Sequence, residues 1–276
     1  MAAKKGSSTS LRERLIVKPG ESVDLDRRGP AETFDYKKDS ATTKIEADVQ
    51  RLAALQERLW AEHRHRVLIV LQGMDASGKD GTIKHVMTGF HPLGVRVVGF
   101  GVPSEVELAH DYLWRVHHVV PGSGEIVIFN RSHYEDVLVV RVHDLVPKER
   151  WSRRYDQINA FEATLAAEGT TILKFFLHIS PDEQLQRFRD RYHDPTKRWK
   201  FKMGDLEERK RWADYRQAYA EALERCSTDV APWYVIPADK KWFRDLAIAD
   251  IVAETLEGLD PQFPVREDLP ANLVMR

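Results

Sequence analysis

The chain has 276 residues, 42 % of them hydrophobic, and its 42 basic side chains nearly balance 43 acidic ones. This length predicts one large domain, or one domain with an appended arm. The formal net charge of −1 gives no general attraction to nucleic acids or membrane surfaces, so a polyanion site must be local. Cys226 is the single cysteine, which excludes an internal disulfide and suits a reducing compartment. No apolar run approaches the length of about 18 residues that spans a membrane, and we expect a cytoplasmic protein.

The first 39 residues differ in character from the rest of the chain. Residues 1–10 are basic and lack the apolar segment of a secretory signal, and we expect them to be disordered. Residues 11–39 are polar and are broken by Pro19-Gly20 and Gly29-Pro30. We therefore expect residues 1–39 to form a partly disordered arm, lying across the body or a neighbouring subunit. Residues 40–276 are predicted to form a single domain.

The domain begins with a predicted helix over residues 40–61. Its large apolar side chains recur at spacings of three and four, which places them on one stripe of the helix. They are Ile45, Val49, Leu52, Leu55 and Leu59. This stripe predicts packing in the core or against another subunit.

A glycine-rich loop then follows a short apolar run. Residues 66–72 read as a strand buried on both faces. Gly73–Lys79 matches the pattern G-x-x-x-x-G-K, and the start of a helix follows. In such a loop the backbone N–H groups and the helix N-terminus bind an anion, and Lys79 would reach the outer phosphates. The alternative is a glycine turn that binds nothing.

Two carboxylates make this loop unusual. Asp80 stands where the common loop has Ser or Thr, whose hydroxyl binds magnesium. Asp75 lies inside the loop, where phosphates would repel a carboxylate unless a cation lay between them. We infer that Mg²⁺ ligation has moved to carboxylates, with Asp75 first, and that Mn²⁺ could replace Mg²⁺.

Strands and helices alternate through the remainder of the chain. Further strands are predicted at residues 95–100, 125–129, 171–179 and 233–237, and helices near 104–116, at 149–168, from 181, at 206–225 and at 241–259. This order predicts an α/β fold with a parallel sheet flanked by helices on both faces. Ligands of such sheets bind beyond the carboxyl ends of the strands.

A second motif, residues 130–136, follows a predicted strand as directly as the glycine loop does. Both should therefore lie at one edge of the sheet and form one site. Asn130 offers a neutral oxygen, a weaker magnesium ligand than a carboxylate, and Arg131 offers a planar fork suited to phosphate oxygens. Glu135 and Asp136 could bind a metal, a ribose or an acceptor group. The alternative for Arg131 is an ion pair with Glu135 or Asp136.

The histidines carry no comparable signal. His133 is interpreted as structural although it lies within the second motif. His110, His117 and His118 have no metal-ligand spacing with nearby carboxylates or cysteines, and we interpret them as structural too.

A strongly basic segment lies near residues 187–203. Its basic side chains include Arg187, Arg191, Lys197, Arg198 and Lys200. A basic helix interrupted by a proline beside a phosphate loop is typical of a kinase lid, which closes over phosphates. The alternatives are a solvated charged face, or a nucleic-acid patch that uses Trp199 and Phe201 for stacking.

Six stretches in order resemble the family-2 polyphosphate kinases, over roughly residues 34–264. They are LQGMDASGKDGTIK, GVRVVGF, AHDYLWRVH, FNRSHYEDVLVVRVH, DPTKRWKF and APWYVIPADKKW. The resemblance implies a P-loop kinase that moves a phosphoryl group reversibly between inorganic polyphosphate and a nucleotide. It further implies that Asp75 binds magnesium and activates the acceptor, that Lys79 is the P-loop lysine, and that Arg131 contacts phosphate between donor and acceptor. The lid cations named above would bind polyphosphate.

The resemblance also suggests which nucleotides are used. Many relatives have Asp-Arg where this chain has Asn130-Arg131, so Glu135 or Asp136 would have to supply a second metal carboxylate. The chain looks most like the subgroup that converts both AMP and ADP, forming ADP and ATP, with Glu135 governing monophosphate use. The family suggests dimers or tetramers, and we expect no nucleic-acid or membrane partner. The rival readings are an ATP-dependent P-loop kinase of a nucleotide or small metabolite, and a nucleotide-gated nucleic-acid-binding protein.

The predicted site is larger than its catalytic residues, which are Asp75, Lys79 and Arg131. Contacts with phosphate or nucleotide are expected from Gly73, Ala76, Ser77, Gly78, Lys79, Asp80, Gly81, Lys84, Asn130 and Glu135. The metal is assigned to Asp75, with Asn130 and Asp136 as further candidate ligands.

Overall fold

The computed structural model describes residues 9–266 and contains one six-stranded sheet. The strands are β1 (Ile16–Val17), β2 (Arg66–Gln72), β3 (Val95–Gly99), β4 (Ile126–Asn130), β5 (Thr170–His178) and β6 (Trp233–Pro237). Their order across the sheet is β1-β6-β5-β2-β4-β3. The five strands from β2 to β6 pair in parallel, as predicted, and β1 pairs antiparallel with β6.

Helices cover both faces of this sheet. They are α1 (Leu11–Leu15), α2 (Lys38–Glu62), α3 (Lys79–Val86), α4 (Glu105–Leu108), α5 (Trp114–His117), α6 (Val139–Val142), α7 (Lys148–Trp151), α8 (Arg154–Ala167), α9 (Pro181–His193), α10 (Met203–Lys210), α11 (Trp212–Cys226) and α12 (Lys241–Leu259). Short 3₁₀ helices lie at Pro92–Gly94, His133–Val137 and Arg198–Lys200. In the described part of the chain, no helix is long and apolar enough to cross a membrane.

The central strand β2 separates two hydrophobic cores. Val67, Ile69 and Leu71 point into a core formed with α1, α2, α3 and α12. Leu68 and Val70 point into a second core formed with α8 and α11. All five side chains are fully buried, because successive residues of a strand face opposite sides of a sheet that is covered on both faces. Leu52, Leu55 and Leu59 of the α2 stripe pack in the first core, which was one of the two predicted alternatives.

The N-terminal segment is more ordered than we expected. Ser10 caps α1 through a capping box with Glu13, and Leu11 and Leu15 are buried. No strand was predicted in the N-terminal segment, yet Ile16 and Val17 pair with β6. Two residues are too few to show a strand periodicity, so this element escaped detection. Residues 1–8, which we expected to be disordered, lie outside the described residues.

Three predicted helices are each divided in two. The helix expected near 104–116 becomes α4 and α5, because the Asp111 carboxylate accepts the N–H of Leu113 at 2.9 Å and forms a local turn. The helix expected at 149–168 is divided between α7 and α8, and the one at 206–225 is divided at Arg211 between α10 and α11. The regions of these helices were predicted, but the breaks within them were missed.

Candidate active site

The glycine loop joins β2 to α3 at the carboxyl edge of the sheet. Gly73 and Gly78 have φ angles of 150° and 112°, a region that L side chains rarely adopt. A Cβ on Gly73 would lie 2.7 Å from Ser77 Oγ and 2.8 Å from the carbonyl oxygen of Leu177. A Cβ on Gly78 would overlap the guanidinium of Arg244. Both glycines are therefore required by the conformation and packing of the loop.

Lys79 folds back over the loop from the first turn of α3. Its Nζ donates to the carbonyl oxygens of Gly73 at 2.6 Å and Met74 at 3.3 Å. Burial lowers the pKa of Lys79 to about 8, and the positive charge of Arg131 acts in the same direction, against Asp75, Glu135 and Asp80. The ammonium group thus lies inside the loop, where a bound phosphate would restore its preference for the charged form.

Asp75 and the second motif meet at this edge. Arg131 directly follows β4, which pairs with β2, and adopts a left-handed φ of 62°. Its Nη2 donates to Asp75 Oδ1 at 2.5 Å, and its Nη1 lies 3.4 Å from Glu135 Oε2. Despite burial, these two carboxylates raise the pKa of Arg131, so it is a permanent cation. The alternative ion pair with Glu135 is therefore present, together with a shorter one to Asp75.

Asp80 connects the loop to the basic segment. Its carboxylate accepts from Asn130 Nδ2 and from Lys200 Nζ, each at 2.9 Å. Burial would raise the pKa of Asp80, but the hydrogen bonds from Lys200 and Asn130 hold it below its usual value. The expected neighbours Asp80 and Asn130 are thus in direct contact, and the amide oxygen of Asn130 is not used in this bond.

Beside Asp75 lies a cavity of about 120 Å³. Its lining combines the two motifs with side chains from α6, α9, α10 and α11. The residues are Gly73, Met74, Asp75, Arg131, Glu135, Val139, Gln184, Glu208, Arg209, Tyr215 and Tyr219. The last six of these were not predicted from the sequence. Tyr215 and Tyr219 are four residues apart on α11, a spacing that places them on one face and could have suggested a shared role.

Asp136 does not line this cavity. Its Oδ1 accepts from Arg154 Nη1 at 2.7 Å, and both side chains are largely buried. Burial raises the pKa of Asp136, while the charge of Arg154 opposes that rise. This carboxylate is committed to a structural ion pair, which argues against its expected role as a metal ligand.

Arg187 is placed differently from the predicted lid cation. Its guanidinium donates to the carbonyl oxygens of Ala76 and Ser77, both at 2.9 Å, and to those of Ala238 and Asp239. It also donates to Glu183, and the residue is only 6 % exposed. Arg187 therefore holds the glycine loop against the segment after β6. Its N–H groups all donate within the protein, so none is directed at a polyphosphate chain on the surface.

The other predicted lid cations lie nearer the surface. Lys197 and Arg198 are exposed and bond locally, to Asp194 and to the carbonyl oxygen of Tyr192. Arg191 is half-buried over the ring of Phe188, and Lys200 reaches Asp80. Lys84 is exposed on α3. Gly81 lies close to Arg244, whose guanidinium would meet a Cβ there at 3.1 Å.

The histidines occupy structural positions. His133 is fully buried and contacts Glu162 at 3.2 Å. His110 and His118 pack on the ring of Trp114, and His117 packs on Phe161. Within residues 9–266, no group of three or more histidine, cysteine or acidic side chains is arranged to hold a metal ion by itself.

Comparison with known proteins identifies the family. The model of the family described as Polyphosphate kinase 2 matches residues 35–264. The chain belongs to the polyphosphate kinase 2 family. It is 56 % identical to the AMP/ADP-polyphosphate phosphotransferase of Meiothermus ruber, over 95 % of this chain and 99 % of that protein. It is 44 % identical to the ADP-polyphosphate phosphotransferase of Rhodopseudomonas palustris, over 94 % and 93 % of the two chains.

A solved structure supports the same assignment. The crystal structure of polyphosphate kinase 2 from Arthrobacter aurescens TC1 superposes with a TM-score of 0.90 at 42 % identity, covering 94 % of this chain and 93 % of that one. The predicted family, the α/β fold and the assignment as a phosphotransferase are therefore confirmed. The domain boundary at residue 39 and the roles of individual site residues stay predictions.

Proposed function

We propose that this chain transfers a phosphoryl group reversibly between inorganic polyphosphate and both AMP and ADP, forming ADP and ATP. The observation that carries the proposal is the contact of Asp75 with Arg131 at 2.5 Å, at the mouth of the glycine loop and beside the cavity. A carboxylate and a guanidinium at this position supply the two charges that a metal–phosphate pair needs. The name of the Meiothermus ruber relative supports the use of both acceptors.

Phosphoryl transfer depends mainly on positioning and on charge stabilisation, because the protein forms no covalent bond in the simplest mechanism. The loop N–H groups and Lys79 would bind the outer phosphates of one substrate. Arg131 would contact the oxygens of the transferred group, where its planar fork matches their geometry. When phosphate occupies the site, Arg131 exchanges its bond to Asp75 for one to phosphate, and Asp75 becomes available to a cation.

The donor set fits Mg²⁺, with Mn²⁺ as an alternative. Magnesium is bound through one or two carboxylates together with substrate phosphates, so a cage made only of protein ligands is not required. The Asp75 side chain is 27 % exposed, and Asn130 retains its amide oxygen. These two residues would hold the ion, which neutralises charge on the donor and acceptor phosphates when bound. The pairing of Asp136 with Arg154 argues against a place for Asp136 in this set.

The basic side chains at the end of α9 and just after it would bind the polyphosphate chain. Arg191, Lys197, Arg198 and Lys200 provide cations on a surface that reaches the loop through the Lys200–Asp80 contact. A polyanion bound in this way releases counterions, so its affinity should fall steeply with salt. The carboxylates of the loop and the near-zero net charge disfavour nucleic acid as the bound polyanion.

Glu135 is the proposed determinant of acceptor choice. It lines the cavity beside Arg131, where it would bind the acceptor through its ribose hydroxyls or through the metal. The family resemblance suggests a dimer or tetramer, and we propose that the active form is such a homo-oligomer.

The test is an assay with Mg²⁺ and polyphosphate in which AMP and ADP are given separately and products are followed by chromatography. ATP from ADP, and ADP followed by ATP from AMP, is the expected result. ATP from ADP alone would discard the role of Glu135 and the use of AMP. No product from either acceptor, with the protein folded, would overturn the proposed function.

A further inference from the structure

A fully buried charged cluster lies directly beneath the second motif. Lys174, in the middle of β5, donates from Nζ to Glu162 Oε2 at 2.5 Å, to Tyr134 Oη at 2.8 Å and to the carbonyl oxygen of Cys226 at 2.6 Å. Lys174, Glu162 and Tyr134 are each at most 1 % exposed. Burial opposes the ionisation of Glu162, but the charge of Lys174 and the contact with His133 lower its pKa.

The cluster joins three separate elements. Glu162 comes from α8 and Lys174 from β5, whereas Tyr134 and His133 belong to the 3₁₀ helix that follows β4. Glu162 Oε1 accepts from Tyr134 Oη at 2.9 Å and contacts His133 Nε2 at 3.2 Å. The side chains of His133 and Tyr134 are thus both bound to the Glu162 carboxylate, which is buried in the core.

The proposed phosphate-binding side chains belong to the same short segment of the chain. Arg131 precedes the 3₁₀ helix in a left-handed conformation, and Glu135 lies within it and contacts the Arg131 guanidinium. Ser132 adds a second anchor, because its hydroxyl accepts from Gln72 Nε2 of β2 at 3.1 Å. These hydrogen bonds therefore hold the backbone next to Arg131, and its ion pairs with Asp75 and Glu135 hold the guanidinium itself.

Stability alone gives a weak reason for such a cluster. A buried ion pair loses about as much in desolvation as it gains in attraction, and apolar replacements of similar size are often tolerated. What such a cluster supplies is a defined geometry, because its hydrogen bonds constrain the positions of the side chains that make them. An arginine that must meet the developing charge of a transferred phosphoryl group requires that kind of placement.

We propose that Lys174, Glu162 and Tyr134 are positioning residues, which set the Arg131 guanidinium for phosphoryl transfer through the 3₁₀ helix His133–Val137. The inference rests on the proposed function, because Arg131 is assigned to the phosphate there. None of the three side chains touches substrate; they act through the backbone that carries Arg131 and Glu135.

A double-mutant cycle tests this coupling with the full-length enzyme. Tyr134→Phe removes one hydroxyl and its two hydrogen bonds and leaves the ring. We expect it to lower kcat for ADP phosphorylation roughly tenfold, the scale of a small misplacement in an active site. In the Arg131→Ala background the same change should lower kcat less than about twofold, because the group being positioned is gone. The KM for polyphosphate should stay within about twofold in both backgrounds.

Tyr234→Phe is the matched control. Tyr234 is also fully buried and its hydroxyl accepts from Arg12 at 2.7 Å, but it faces the other core of the sheet. It should leave kcat within about twofold. Equal losses from Tyr134→Phe in both backgrounds, unchanged kcat in Tyr134→Phe, or an equal loss in Tyr234→Phe would each overturn the inference.

A second variant separates position from stability. The double substitution Lys174→Met with Glu162→Gln removes both charges while keeping the side-chain volumes, so we expect a folded protein by urea unfolding with kcat at least about tenfold lower. A folded variant with wild-type kcat would overturn the inference. Wild-type enzyme that makes no ATP from polyphosphate and ADP would instead overturn the proposed function, so the two failures are distinct.

Discussion

The glycine loop and the basic segment after α9 are both assigned to phosphate, yet the fold holds them in opposite ways. The loop is buried and tied from several directions, by Arg187 through Ala76 and Ser77 and by Lys79 through Gly73. In the basic segment, Lys197 and Arg198 are exposed and bond only to residues a few positions away. The first arrangement suits a rigid anion site, and the second suits a surface that closes over a long ligand.

The largest effect is expected at the carboxylate of the rigid region. Asp75→Asn keeps the shape of the side chain but removes the charge that would hold the cation, so kcat should fall roughly a thousandfold. The Tm should change by no more than a few degrees, since the residue is partly exposed. The assay is ATP formation from polyphosphate and ADP.

Asp156→Asn serves as its control, because Asp156 is largely exposed on α8, away from the loop. It should keep full activity. Full activity in Asp75→Asn would contradict both the role of this carboxylate and the proposed function.

A second comparison uses two arginines of α9, of which Arg187 binds the glycine loop and Arg191 belongs to the basic surface. Arg187→Met would leave the four carbonyl oxygens that the guanidinium binds without their donor, and we expect a loss of about 2 to 4 kcal/mol in the free energy of unfolding. Arg191→Met should change that free energy by less than about 0.5 kcal/mol. Urea unfolding of the two variants measures the difference.

The KM for polyphosphate should depend more on Arg191 than on Arg187, the reverse of the order expected for stability. Arg191→Met should raise the KM for polyphosphate and reduce its dependence on salt, because one cation of the phosphate track is lost. If Arg187→Met were as stable as the wild type and showed only a raised KM for polyphosphate, Arg187 would belong to the lid after all.

The smallest effect is a pH dependence that comes from Lys79. Because burial lowers the pKa of Lys79 to about 8, the free enzyme loses this positive charge as the pH rises through that value. We therefore expect kcat/KM for polyphosphate to be constant below about pH 7.5 and to fall about tenfold per pH unit well above pH 8. The alkaline decrease in kcat should occur at higher pH than that in kcat/KM, because bound phosphate stabilises the ammonium form of Lys79.

Lys79→Arg is the control for that profile, because a guanidinium stays charged throughout this range. Its residual activity should lack the alkaline limb. A limb that persists near pH 8 in this variant would assign the titration to another group.

The positions of the two motifs at the carboxyl edge of the sheet could be predicted from the sequence. The partners of the charged side chains around them could not. A buried apolar strand before Gly73 and another before Asn130 predict parallel neighbours, and parallel neighbours bring their carboxyl ends together. That rule accounts for the proximity of Asp75 and Arg131, although the ion pair between them was not predicted. The fold class followed in the same way from the alternation of strands and helices.

Arg187 shows where this reasoning stops. It lies in a run of basic residues, and the charge pattern alone assigned it to the lid. In α9 it shares the buried face with Gln184 and Phe188, at spacings of three and one, and two of these three residues are polar. Hydropathy therefore gave no sign that this face turns inward, and the carbonyl oxygens that Arg187 binds are not visible in a sequence. β1 was missed because two residues show no periodicity, and the cavity residues on α10 and α11 were missed because the contacts that bring them together are not visible in a sequence.

The antiparallel pairing of β1 with β6 also has a consequence for how the chain is made. Arg12 donates to Tyr234 Oη at 2.7 Å, across 222 positions of sequence, next to the strand pair itself. During synthesis β1 emerges from the ribosome long before β6, because Arg12 beside β1 and Tyr234 of β6 lie 222 positions apart. The N-terminal segment must therefore remain unpaired until β6 has been synthesised, and this pairing of the sheet forms only after that point.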